Sequence, residues 1–184
     1  MDNRGRFRGY AWMSLEPTNI LLSFIIFHLS LKVLAPFFSL LHELGHAIPA
    51  LMFTKGEVMV GLTMEGGKEF RVGRLIFSCR LRGTYHGSCE FPTEGVANRI
   101  LALIVAGGPL FSSLLAVFSI CGMLQTAWPP LPRLLLAAAG YANLRIFLTS
   151  AIPFVHKVPG STEEVPSDGK RFLEYLQKCC FLKD

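Results

Sequence analysis

The chain has 184 residues, one domain's worth. Only 17% of residues are charged, 51% are hydrophobic and the mean hydropathy is +0.43, which excludes a disordered or highly solvated chain and points to a membrane protein. The net charge of +5 gives a modest preference for anionic lipid surfaces. No basic patch interleaved with aromatics accompanies it, so a nucleic-acid partner is excluded.

Residues 1–18 form a short basic tail with Arg4, Arg6 and Arg8. The apolar run that follows is too long for the core of a cleavable signal peptide, so it reads as a retained signal-anchor. That run, Asn19–Phe53, carries only Lys32 and Glu43 as unambiguous charges. At roughly 35 residues it would be ~50 Å long as a helix, more than one bilayer crossing. Pro36 and Pro49 each remove a backbone donor and mark kinks. One long bent helix is expected, with a short interfacial helix plus a spanning helix as the alternative. His28 and Lys32 lie one turn apart, and a snorkelling lysine accounts for the pair.

Between the two prolines stands Leu41-His42-Glu43-Leu44-Gly45-His46-Ala47. Residues four apart share a helix face, so His42 and His46 can direct both imidazoles at one zinc ion. Glu43 projects beside them, placed to take a proton from water. Three ionisable groups in an apolar helix are costly unless a metal turns them into ligands. The motif lies roughly 10–16 Å from the Phe53 end of the helix.

Residues 55–92 change character. Gly61, Gly66, Gly67, Gly73, Gly83 and Gly87 break them into short pieces with strand-like alternation. Leu75, Phe77, Cys79 and Leu81 fall on one face; Tyr85, Gly87, Cys89 and Phe91 share another after Gly83. The pattern predicts a hairpin of these two segments, with a third strand from Glu57 to Met64 and an unpaired edge suited to β-augmentation. In such a hairpin Cys79 and Cys89 would face each other, with His86 nearby, as a disulfide or second metal site. Five scattered cysteines do not read as a disulfide framework, and small buried thiols are the simpler account.

A second spanning segment, Ile100–Ala127, has no charged residue and is interrupted by Gly107-Gly108-Pro109, where glycines allow close helix approach. A third, Leu134–Val155, contains Asn143 and Arg145. A guanidinium at that depth needs a wet cavity or a partner, which makes these two candidates for substrate contact. A polar connector, residues 156–166, leads to Ser167-Asp168-Gly169 and an amphipathic helix on which Phe172, Tyr175, Leu176 and Cys179 form one stripe. On spacing alone the third metal ligand stays open among His156, Glu163, Glu164 and Asp168, the last also being a good helix start. The basic tail and the basic insert compete for the same side of the membrane, so orientation is not fixed.

His42-Glu43-Leu44-Gly45-His46-Ala47 at the end of a hydrophobic helix resembles the site-2 protease family of intramembrane zinc metalloproteases, peptidase family M50. Gly108-Pro109-Leu110 resembles its glycine-proline motif, and Ser167-Asp168-Gly169 its aspartate-glycine motif. Order and spacing agree from about Leu34 to Arg171. Departures are Ser112, where the family often has asparagine, and Ser150 before Pro153 in place of another asparagine. The resemblance implies zinc held by His42, His46 and Asp168, with Glu43 as the catalytic base. It also implies cleavage in or near a transmembrane segment of another membrane protein.

The expected fold is therefore a mostly α membrane protein: about three core transmembrane helices, a small β insert between the first two, and a C-terminal amphipathic helix. Residues 19–155 form the membrane-embedded core and residues 156–184 the connector, third ligand and last helix. The expected setting is an integral, multi-pass protein of the cell membrane. Its partners would be the lipid bilayer, a membrane-protein substrate and, where activity is gated, a regulatory membrane protein. The alternatives are a non-catalytic membrane adaptor with the same fold and a soluble hydrolase bearing the same motif.

Overall fold

The computed structural model of the protein describes residues 17–62, 68–79, 87–157 and 164–181. The basic tail, His86 and Glu163 lie outside the described residues. Four helices dominate: α1 (Pro17–Phe53), α2 (Asn98–Met123), α3 (Pro130–Ala151) and α4 (Asp168–Phe181). The first three are long and apolar enough to cross a membrane.

Helix α1 is one continuous helix of 37 residues with Pro36 and Pro49 inside it, about 55 Å at 1.5 Å per residue. The single-rod expectation holds over the two-helix alternative. Ile20, Leu21, Phe24, Ile25 and Leu29 are all exposed along its first half. Such a face is costly in water and comfortable in hydrocarbon. Further along, Phe38 packs with Ala139 and Ala142 of α3.

Helix α2 packs on both α1 and α3. Contrary to the sequence expectation, Gly107-Gly108-Pro109 does not interrupt it; Pro109 sits inside an unbroken helix. The glycines serve the approach of α2 to α1. A Cβ on Gly45 would lie 2.6 Å from the Gly107 carbonyl oxygen, and one on Gly107 would collide with the Gly45 carbonyl. Pro49 has no N–H, so the Gly45 carbonyl is released from the helical ladder at the place where Gly107 meets it. Side chains at either position would push the helices apart.

The insert holds β1 (Val58–Leu62), β2 (Lys68–Val72), β3 (Leu75–Cys79) and β4 (Gly87–Glu90), in the order β2-β3-β1-β4. This corrects the expected β3–β4 hairpin. Strand β1 lies between them, parallel to β3 and antiparallel to β4. The hairpin is β2–β3, closed at Gly73-Arg74, where Gly73 adopts φ +60; a left-handed residue there costs glycine nothing. Val58 and Val60 of β1 are fully buried against Ala47, Ala50 and Ile104, fastening the sheet to α1 and α2. A central strand with a fully apolar face is favoured over leaving that face at an edge.

The proposed Cys79–Cys89 partnership falls with the hairpin. Cys79 stands opposite Leu62 and Cys89 opposite Val60, on the two sides of β1. Two strand spacings, about 9–10 Å, separate the flanking backbones, beyond disulfide reach. Cys89 is a free thiol.

The connector, expected to be irregular, contains β5 (Val155–Lys157) paired antiparallel with β6 (Glu164–Pro166). This clasp brings the start of α4 back to the end of α3. Ser167 caps α4: its Oγ accepts from the Lys170 and Phe154 N–H groups at 3.3 and 3.1 Å and donates to the Ile152 carbonyl at 2.7 Å. Gly169 lies directly against the Ala151 carbonyl, leaving no room for a side chain.

Candidate metal centre

The helical repeat of α1 places Ser39, His42, Glu43 and His46 on one face, at i, i+3, i+4 and i+7, and all four line one cavity of about 460 Å³. Asp168, the first residue of α4, enters the same cavity from the other side. Its Oδ2 lies 3.2 Å from His42 Nε2 and 3.3 Å from His46 Nε2, and the two Nε2 atoms are 3.3 Å apart. Among the described residues, this is the group of His, Cys, Asp and Glu whose ligand atoms converge on one point. Of the other candidates for third ligand, Glu164 is exposed and lies on β6.

The outer ring nitrogens define which atoms face inward. His46 Nδ1 lies 2.9 Å from the Ile104 carbonyl oxygen, which can only accept, so Nδ1 carries the proton and Nε2 presents a lone pair. His42 Nδ1 lies 2.9 Å from Ser112 Oγ, which can accept in the same way. Two imidazole lone pairs and a carboxylate oxygen then meet with no hydrogen among them. Such a triangle is repulsive unless a cation sits at its centre. Its edges also fit: ligands about 2.0–2.1 Å from a tetrahedral zinc are about 3.3–3.4 Å apart. The residues present therefore suit a divalent metal, with Ser112 and Ile104 supplying the orienting bonds that metal-ligating histidines use.

Packing holds this geometry tightly. A side chain on Gly108 would strike the His46 ring, and one on Gly87 of β4 would strike the Glu43 carboxylate. Glu43 is thus pinned between α1 and β4 beside the cluster. Cys89 is half-buried in the cavity wall; burial and then the charges of Glu43 and Asp168 push its thiol well above the ordinary range.

The structure brings His42, Glu43, His46 and Asp168 together in one cavity. Arg145 joins them on the cavity wall, with Thr149 one turn on and Arg171 of α4. Asn143 is elsewhere: it is fully buried, its Nδ2 donates to the Ala139 carbonyl at 2.9 Å, and its Oδ1 has no partner among the described residues. It does not line the cavity. Sequence reasoning missed Ser39, the Ile104 carbonyl and Arg171, and gave Cys89 a different role. Ser39 had a signal, its i−3 spacing from His42; a backbone carbonyl has none.

No family model, curated protein or solved structure matches this chain.

Proposed function

We propose that the protein is an intramembrane zinc metalloprotease of the site-2 protease kind. It would hydrolyse a peptide bond in or near a transmembrane segment of another membrane protein. The observation that carries this reading is the triangle of two imidazole nitrogens and one carboxylate oxygen with Glu43 beside it. These groups sit in a cavity among helices long and apolar enough to cross a bilayer.

His42, His46 and Asp168 would hold the ion, oriented by Ser112, Ile104 and the Ser167 cap. When bound, zinc supplies Lewis acidity that polarises a carbonyl and makes water a stronger acid at neutral pH. Glu43 takes a proton from the attacking water onto its carboxylate and delivers it to the departing amine as the C–N bond breaks. The groove of about 460 Å³ gives water a path to these groups, which hydrolysis at this depth requires.

Strand β4 lines the cavity and pairs with β1 on one side, with no strand on the other among the described residues. That edge can hold a substrate segment extended by main-chain hydrogen bonds, as cleavage of an unwound helix demands. The test compares membrane proteomes from cells carrying native protein or Glu43→Gln. The reading predicts membrane-protein fragments that appear only with the native chain; identical fragment patterns would leave it without an activity and favour a binding role.

A further inference from the structure

Arg145 is the residue in α3 hardest to explain by packing. It lies well inside an apolar helix, is exposed, and has no ion pair or side-chain hydrogen bond among the described residues. A guanidinium at such a position is expensive unless it faces a wet cavity or meets an anion. Arg171, one turn into α4, is half-buried and makes no ion pair or side-chain hydrogen bond among the described residues, although its charge reaches Glu43. Both line the cavity that contains His42, His46 and Asp168. By contrast, the third carboxylate of the wall beside Glu43 and Asp168 is Glu90, on the β4 side. Beyond the cluster itself, the wall therefore carries two cations, on α3 and α4, and one further acid, on the strand side.

We propose that Arg145 and Arg171 form a subsite for a carboxylate side chain, so that the preferred substrate carries Asp or Glu close to the scissile bond. This rests on the hydrolase reading and names its substrate class. Two planar guanidiniums from different helices suit a carboxylate, which accepts paired hydrogen bonds and supplies the close ion pair neither arginine makes within the described residues. A lysine in the same place would meet two like charges, and a neutral residue would leave both guanidiniums unpaired when the substrate displaces water. Glu90 opposes an acid on the strand side and so fixes which way round the segment lies.

The test uses full-length Glu43→Gln protein in detergent and capped apolar peptides identical except for a central Asp, Asn or Lys, read by fluorescence anisotropy. The Asp peptide should bind about tenfold more tightly than the Asn peptide, a difference of about 1.4 kcal/mol. The preference should vanish in Arg145→Gln plus Arg171→Gln and turn towards Lys in Arg145→Glu plus Arg171→Glu. Retained zinc in both double variants shows that the fold survives. Equal affinity for the three peptides, or binding of none, overturns the subsite. Cleavage is scored separately with the native chain on the same peptides. Loss of hydrolysis with the Asp preference intact would therefore sink the protease reading alone, and hydrolysis without the preference would sink the subsite alone.

Discussion

His42 Nδ1 and Ser112 Oγ, 70 positions apart in the chain, meet at 2.9 Å inside the bundle. The contact ties α1 to α2 at the candidate metal centre and fixes the inward nitrogen of His42. It also gives Ser112, fully buried and otherwise bland, a defined task.

Ser112→Ala should keep the helices packed while letting the His42 ring lose its preferred tautomer. Loss of such an orienting partner typically weakens metal affinity 10–100-fold. Competition for zinc against a graded series of chelators measures it; unchanged affinity would mean the hydroxyl does not orient the ring.

Gly87 leaves room for the Glu43 carboxylate. On the proposed hydrolase reading, Gly87→Ala displaces that carboxylate without touching His42, His46 or Asp168 and lowers kcat by roughly 10²-fold, as for a misplaced catalytic group. Zinc content should stay at the native level. An alanine variant with full activity would show that Glu43 has slack the packing does not suggest.

What was legible beforehand follows from how far each signal reaches along the chain. His42, Glu43 and His46 announce themselves because helical spacing converts sequence distance into shared facing. The long apolar runs give the helices, and their ends shift by a few residues because apolar composition continues past them. Asp168 needed a resemblance to be singled out, since an acid after Ser167 is equally good as a helix start. Alternation in Leu75–Leu81 says strand, but not which strand pairs with it. That choice was made by β1, whose Val58 and Val60 pack on Ala47, Ala50 and Ile104 with β3 and β4 on either side. The three-residue β5 and β6 are too short for any period to show. Arg145 drew notice because a charge in an apolar helix is costly. Arg171 did not, because a basic residue on an amphipathic helix is ordinary until the fold turns it towards a cavity.

Cys89 and Cys180 should differ in reactivity. The thiolate is the nucleophile towards alkylating reagents, and burial together with nearby carboxylates pushes the Cys89 thiol up, so little thiolate exists at pH 7–8. Cys180 is exposed on α4. Iodoacetamide followed by peptide mass spectrometry should find Cys180 modified first and Cys89 slowly, with the Cys89 rate rising as pH increases. Equal rates at neutral pH would place Cys89 outside the cavity wall.

The metal centre itself is tested most directly by counting zinc per chain in purified, detergent-solubilised protein by inductively coupled plasma mass spectrometry. The account predicts about one zinc in the native chain and in Glu43→Gln, and loss of it in His46→Ala and in Asp168→Ala, the three-ligand arrangement of a catalytic site. Full zinc retention in Asp168→Ala, or a native chain that takes up none when zinc is supplied, would contradict it.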